Sequence, residues 1–307
     1  ILIVASPFIA VLYFVIKKTS VGAVIQGYYF KAYDFLFYRS EGVRRFLWEE
    51  FYDFICWMYP GVAWKVMNYG YAILNKDGKL IQDLNVEFED ERFPLQLYHY
   101  VATQCGTKKD LSGLNILEVG SGRGGGLTYL TKNLQPASSV GVDISKNQID
   151  FCNENYSDVK NLKFHLGDSE DLPGNENLKP ESFDLVINVE SSHCYGKFKS
   201  FIQGVDKVLK SGGVFAITDF RSAADFDKMK EELESYQMKI IKEEDITINV
   251  LHALDLDEKR RIELINTNVH SILRPLFKKF SGLNGSRINQ DFRNKEVLYK
   301  VFILKKN

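Results

Sequence analysis

The string EVGSGRGGG, Glu118 to Gly126, places five glycines directly behind a carboxylate. Glycines at a strand-to-helix turn let the backbone bend sharply and approach a ligand closely, because no Cβ occupies the ligand's space. Gly120, Gly122 and Gly125 satisfy the dinucleotide spacing G-x-G-x-x-G, a weak signal by itself. Asp143 follows about 20 residues later at the end of the next apolar run, the position from which a carboxylate grips two ribose hydroxyls. A nicotinamide dinucleotide and S-adenosylmethionine both carry that ribose, so these residues leave the two tied.

Three further features separate them. Glu118 puts negative charge just before the glycines, where a pyrophosphate would be repelled but an amino group bound or the loop oriented. Gly167-Asp168-Ser169 ends the next apolar run and sets a carboxylate where an adenine amine could donate to it. One strand-helix series follows the loop, with no second catalytic domain of dehydrogenase size. The balance favours S-adenosylmethionine, with Gly124 and Asn188 counted among the cofactor-binding residues.

Transfer of a methyl group is an in-line displacement, so a base must sit beside the acceptor. Glu190-Ser191-Ser192-His193 follows an apolar strand, at the carboxyl edge where open α/β sheets bind ligands. His193 is the expected general base, because imidazole titrates near neutrality. Tyr195 is the expected substrate-orienting group. Cys194 is not read as a nucleophile, since neighbouring side chains diverge and no third group orients it. His99, His165, His252 and His270 lack metal-ligand spacing, so no metal is expected.

The elements that must carry these residues alternate in type. NILEV (115–119), SVGVD (139–143), LKFHLGD (162–168), FDLVINV (183–189) and GGVFAITDF (212–220) read as strands separated by helical spacing. VLYKVFIL (297–304) is one more. Ser145 to Gln148 has the Ser-x-x-Gln form of a helix cap. Such alternation predicts a parallel sheet with helices on both faces. DFDKMKEELESYQ (225–237) reads as a solvated helix, and the stretch 249–281 as a helical cover over a substrate cavity.

Composition agrees with an enzyme. The chain has 307 residues, 45% hydrophobic and 26% charged, which excludes a disordered or low-complexity protein. Its formal net charge of −1 gathers no nucleic acid across the surface. Four scattered cysteines make neither a disulfide scaffold nor a zinc site.

The N-terminal region differs. Residues 1–16, ILIVASPFIAVLYFVI, are apolar apart from Ser6, and Lys17-Lys18 closes the run. A membrane-spanning helix needs about 20 such residues. The chain begins at Ile1, so residues upstream are expected to complete a span. All three tryptophans lie in the first 68 positions. RRFLWEEFYDFICWMY carries apolar residues at helical spacing, with Arg44, Arg45, Glu49, Glu50 and Asp53 opposite. Residues 1–58 are expected to contact a membrane, with the rest of the protein in the cytosol or an organelle matrix such as that of the mitochondrion. The alternatives are a helical cap packing on the rest of the enzyme, or a partner surface in a membrane protein complex.

Taken in order, EVGSGRGGG, VGVD, HLGDSEDLP, FDLVINVESSH and VLKSGGVFAITDF resemble the class I S-adenosylmethionine-dependent methyltransferases. NYGYA (68–72), ERFPLQLYHYVA (91–102), NVESSHCY (188–195) and FSGLNGSR (280–287) resemble one branch, the phthiotriolone-type ketone/hydroxyl methyltransferases and their eukaryotic relatives. The resemblance covers about 66–305. It implies an α/β fold with a Rossmann-like sheet of seven strands, the last antiparallel. It also implies that Glu118, Gly120 and Gly122 bind the methionine part of the cofactor, that Asp143 takes the ribose, and that Asp168 with Ser169 takes the adenine side. By resemblance only, Tyr69 and Tyr71 lie over the methyl group.

The expected organisation is a helical extension over 1–65, a cap over 66–113 and the methyltransferase domain over 114–307. The expected activity is O-methylation of a small apolar acceptor: a lipid, polyketide, sterol or quinone-like molecule. The alternative is an accessory subunit that binds cofactor without turnover.

Overall fold

The computed structural model describes residues 64–75, 91–104, 111–271 and 273–307, with scattered positions between 45 and 61 and between 77 and 80. The apolar run 1–16, Lys17 and Lys18 lie outside the described residues. No helix among the described residues is long and apolar enough to cross a membrane.

Helix α1 (Arg92–Thr103) leads into β1 (Asn115–Val119), α2 (Gly125–Leu134), β2 (Ser138–Asp143), α3 (Lys146–Tyr156) and β3 (Leu162–Leu166). Then come β4 (Phe183–Val189), α4 (Phe198–Val208), β5 (Leu209–Arg221), α5 (Ala223–Leu233) and β6 (Met238–Asp245). Helices α6 (Thr247–Asn268), α7 (Arg274–Phe280) and α8 (Arg287–Arg293) precede β7 (Leu298–Lys306).

The seven strands form one sheet in the order β3-β2-β1-β4-β5-β7-β6. Strands β1 to β5 pair in parallel, while β7 runs antiparallel to both β5 and β6. The expected seven-strand sheet with a reversed last strand is therefore what forms. Strand β6, MKIIKEED, has no counterpart among the strands read from sequence. It is an edge strand whose alternate residues are exposed, and its lysines and glutamates blunt an edge that would otherwise invite pairing.

Both sheet faces are covered. In β1, Ile116 packs on one side and Leu117 on the other; in β5, Ala216 and Phe215 divide the same way. Period-two alternation with every residue apolar is what a doubly covered strand requires. Chain order runs outward from β1 on one side and from β4 on the other. The carboxyl ends of β1 and β4 thus flank the switch point, where open α/β sheets bind ligands.

Candidate active site

Two adjoining cavities open above that switch point. The first lies over the glycine loop. Gly120 N–H and Ser121 N–H both donate to Val142 O, at 2.8 and 3.0 Å, which pulls the loop across to β2. Gly120 has φ +76°, and a Cβ there would stand 2.4 Å from Ser191 Oγ, so a side chain is excluded twice over. Gly122, with φ +52°, donates its N–H to Asp143 Oδ2 at 2.8 Å. A Cβ on Gly122 would meet nothing closer than Gln148 Oε1 at 3.5 Å, so the space above it is kept for a ligand.

Asp143 Oδ1 accepts the Ser145 N–H at 2.9 Å. Burial raises the carboxyl's pKa, against the pull of the Ser145 and Gly122 amides. Ser145 Oγ caps α3 by accepting Gln148 N–H, as its spacing predicts. Gln148 does not complete the reciprocal cap: its Oε1 is buried without a partner, and the residue lines the cavity. Ser121 Oγ and Gln148 Oε1 are thus buried polar atoms without a hydrogen-bond partner, on residues that line this cavity.

Gly120, Gly122, Asp143 and Ser169, four of the residues expected to bind the cofactor, line this cavity. Four other expected residues stand behind it. Glu118 is fully buried; its Oε1 accepts the Tyr98 hydroxyl at 2.7 Å and its Oε2 has no partner. Burial holds its pKa up at about 8, with the Tyr98 hydrogen bond opposing and Asp143 adding to the rise. Asn188 is fully buried and donates to Val119 O, Ser191 Oγ and Tyr195 Oη, tying β1 to the loop after β4. Gly124 precedes the first turn of α2 and packs beneath Phe164. Asp168 is turned away: its carboxylate accepts Glu170 N–H and pairs with Arg45 at 2.7 Å, leaving Gly167 and Ser169 on the lining.

Tyr195 needs a correction. Expected beside the acceptor, it lines the glycine-loop cavity instead, and its hydroxyl is held by Asn188 and Ser191. The short helical turn Ser192–Cys194 carries His193 and Tyr195 to different sides.

His193 lines the second cavity, of about 230 Å³, whose walls include Trp48, Trp64, Met67, Phe220, Leu264 and Phe277. Its Nδ1 donates to Asp219 Oδ1 at 2.9 Å, which leaves Nε2 as the nitrogen available to a ligand. Asp219 is fully buried and also accepts from His193 N–H (2.8 Å), Ser192 Oγ (2.5 Å) and Phe220 N–H (2.9 Å). Burial alone would raise the Asp219 carboxyl, but His193, Arg221 and Ser192 outweigh it and hold it at about 2. Burial likewise disfavours the charged imidazole, yet Cys194 and Asp219 push its pKa well above the ordinary value. We ascribe the rise mainly to the Asp219 carboxylate at hydrogen-bond distance. Asp219 was legible as the lone carboxylate ending the apolar string VFAIT, though spacing alone did not couple it to His193.

Helices α6 and α7, which span the stretch expected to be helical, line this cavity through Arg260, Arg261, Leu264, Ile265, Phe277 and Phe280. Tyr69 lines the cavity, whereas Tyr71 is buried against Tyr100 and does not. The boundary at residue 65 cuts through the site. Trp48 and Tyr52 line both cavities, and Trp48 meets the His193 ring edge-on at 5.8 Å. Buried Arg123 donates to the carbonyls of Tyr59 and Gly61. The described helical positions between 45 and 56 therefore belong to the catalytic unit, and only Phe46 among their apolar residues is largely exposed.

A methyltransferase-domain family model matches residues 110–274. The phthiotriol/phenolphthiotriol dimycocerosates methyltransferase of Mycobacterium tuberculosis is 33% identical over 227 residues, covering 73% of this chain and 81% of that one. A fatty-acid O-methyltransferase of Mycolicibacterium smegmatis is 30% identical over 236 residues, covering 77% and 81%. Among solved structures, the cyclase SpnF superposes with a TM-score of 0.63 at 16% identity, over 85% of this chain and 95% of that one. A geranyl diphosphate C-methyltransferase from Streptomyces coelicolor, solved with S-adenosyl-L-homocysteine, gives 0.55 at 14% identity, over 83% and 98%.

Fold, glycine loop and family match together define a class I S-adenosylmethionine-dependent methyltransferase. Within that class the chain belongs to the methyltransferase-domain family that includes the mycobacterial phthiotriol enzymes.

Proposed function

We propose that the enzyme O-methylates a hydroxyl on an apolar, lipid-like acceptor, with His193 as base. The observation that carries this reading is the His193–Asp219 pair opening into an aromatic cavity that adjoins the glycine-loop cavity. The names of the two mycobacterial relatives, both lipid-modifying, support it. The cyclase SpnF shares the fold, so the fold by itself does not select the chemistry.

S-adenosylmethionine supplies an electrophilic methyl group on a sulfonium. Asp143 would hold its ribose, Gly120 and Gly122 would let the backbone approach it, and Gly167 and Ser169 would flank the adenine. Glu118 would act through Tyr98 and the loop. With the cofactor bound, His193 Nε2 would take the hydroxyl proton as the acceptor oxygen gains the methyl group and the sulfur–methyl bond breaks, S-adenosylhomocysteine leaving as the neutral thioether, and Asp219 would stabilise the imidazolium. The apolar walls exclude water from that exchange.

His193→Ala is expected to leave S-adenosylhomocysteine affinity within about twofold while slowing transfer by about 100-fold, the usual worth of a positioned base. Equal turnover of a long-chain hydroxy-lipid by variant and wild type would return His193 to a structural role.

We further propose that residues 1–16 with Lys17-Lys18 attach the enzyme to a membrane, with the catalytic domain on the side of the lysines, cytosol or organelle matrix. An apolar acceptor held in a bilayer gives that attachment a purpose. Release of the full-length protein from membranes by alkaline carbonate would refute a span.

A further inference from the structure

Glu190 stands at the junction of the two cavities and lines both. A methyl group passing from cofactor to acceptor must cross that junction. The backbone there is costly: Glu190 has φ +46°, in the left-handed region that side chains other than glycine avoid. Strain of this kind persists where the surrounding structure holds it, and it clusters at sites of function.

Its hydrogen bonds are uneven. Tyr69 N–H and the Tyr299 hydroxyl both donate to Oε1, at 2.7 and 2.6 Å. Oε2 accepts no hydrogen bond from the described residues, and the side chain it belongs to lines both cavities. Were the role only to pin Tyr69 and Tyr299, the single carbonyl oxygen of a glutamine would serve as well. A carboxylate is present instead, with one oxygen held in reserve.

We propose that Glu190 is the counter-charge for the cofactor's sulfonium, the group by which this site distinguishes S-adenosylmethionine from S-adenosylhomocysteine. A sulfonium is positive and its demethylated product is neutral, so a carboxylate at the junction favours the first and lets the second go. Opposite charges in a partly desolvated site attract far more strongly than in water. The neighbouring groups suit this use. His193 and Asp219 face Glu190 from the loop after β4 and from β5, Tyr299 from β7, Tyr98 from α1 and Arg261 from α6. Burial raises the Glu190 carboxyl most, the Tyr299 and Tyr69 donors lower it, and the balance lies at about 7. A proton and a sulfonium then compete for one oxygen, and binding of the cation expels the proton.

The inference depends on the cofactor and is independent of the acceptor's identity. Glu190→Gln keeps an oxygen for Tyr69 and Tyr299 and removes only the charge. By calorimetry, the variant is expected to bind S-adenosylmethionine about tenfold more weakly and S-adenosylhomocysteine within about twofold of wild type. In the wild type, S-adenosylmethionine affinity should climb between about pH 6 and about pH 8 while S-adenosylhomocysteine affinity stays level, and the variant should lose that slope. An unchanged affinity ratio, or equal loss for both ligands, overturns the proposal. If the glutamine variant fails to fold, the wild-type pH dependence of the ratio carries the test alone, and a flat ratio overturns it.

Discussion

Replacing Asp219 by asparagine removes one charge from the centre of the His193 pair and almost no volume. Four donors converge on that carboxylate: His193 Nδ1 and Phe220 N–H on Oδ1, Ser192 Oγ and His193 N–H on Oδ2. An amide group cannot satisfy all four. Turned toward Oδ1, its NH₂ opposes Phe220 N–H and pairs with His193 only if the neutral ring moves its proton to Nε2, the nitrogen a base must keep free; turned toward Oδ2, it can donate to Ser192 Oγ but leaves His193 N–H unpaired. The second arrangement costs less. It still forfeits a charge-assisted hydrogen bond to the imidazolium, worth about 1.5 to 3 kcal/mol. Expressed in the transition state, that is a loss of about 10- to 150-fold in rate.

The pH dependence follows with a definite sign. His193 must be neutral to act as base, and its pKa is raised, so wild-type turnover climbs as pH rises through that value. In Asp219→Asn the pKa falls, and the climb moves to lower pH. Stability responds separately. Asp219 lies at about 2 against an unperturbed 3.8, so its contribution of about 2 kcal/mol is present above the unfolded value and is lost as pH falls through the folded one. His193, raised from 6.5, contributes below that value and loses it as pH rises through its folded pKa. The pair therefore stabilises most between about pH 4 and about pH 6.5, and urea unfolding of the variant should show its largest deficit there. Turnover measured from about pH 5.5 to about pH 9 decides the catalytic claim. An unchanged rate and midpoint in the variant would refute the base assignment.

Asp143→Ala removes the carboxylate that anchors Gly122 and that we propose holds the ribose, and S-adenosylhomocysteine affinity should fall by about tenfold or more in calorimetry. Deleting residues 1–44 should leave cofactor binding intact. Deleting 1–65 strips the Tyr59 and Gly61 carbonyls from buried Arg123 and the Trp48 wall from both cavities, a cost of about 1 to 3 kcal/mol at Arg123 alone. Thermal unfolding of the two truncations should therefore differ, and equal melting would detach the 45–65 segment from the fold.

The strands β1 and β4, the glycine loop, Asp143, the cap on α3 and the cover helices were legible in the chain because each is local. Apolar runs of five to seven residues make doubly buried strands, glycines cluster where the backbone must bend, and serine caps the turn that follows it. Strand β6 escaped because its half-exposed, charged pattern resembles a solvated surface until β7 pairs with it. Side-chain direction was hidden as well. Asp168 and Tyr195 sit at the expected places in the chain, yet one turns to Arg45 and the other to Asn188, choices made by partners far away or on another strand. Asp219 reaches His193 across 26 residues only because β4 and β5 lie side by side. Trp48 and Tyr52 became walls of the site through packing that no spacing in the first 65 residues encodes. Local chemistry thus determined most of the sheet and the glycine loop, and the order of its motifs carried the family resemblance. The His193–Asp219 pair, the junction carboxylate and the limits of the folded unit came from long-range contacts, whose geometry exists only once the chain has closed on itself.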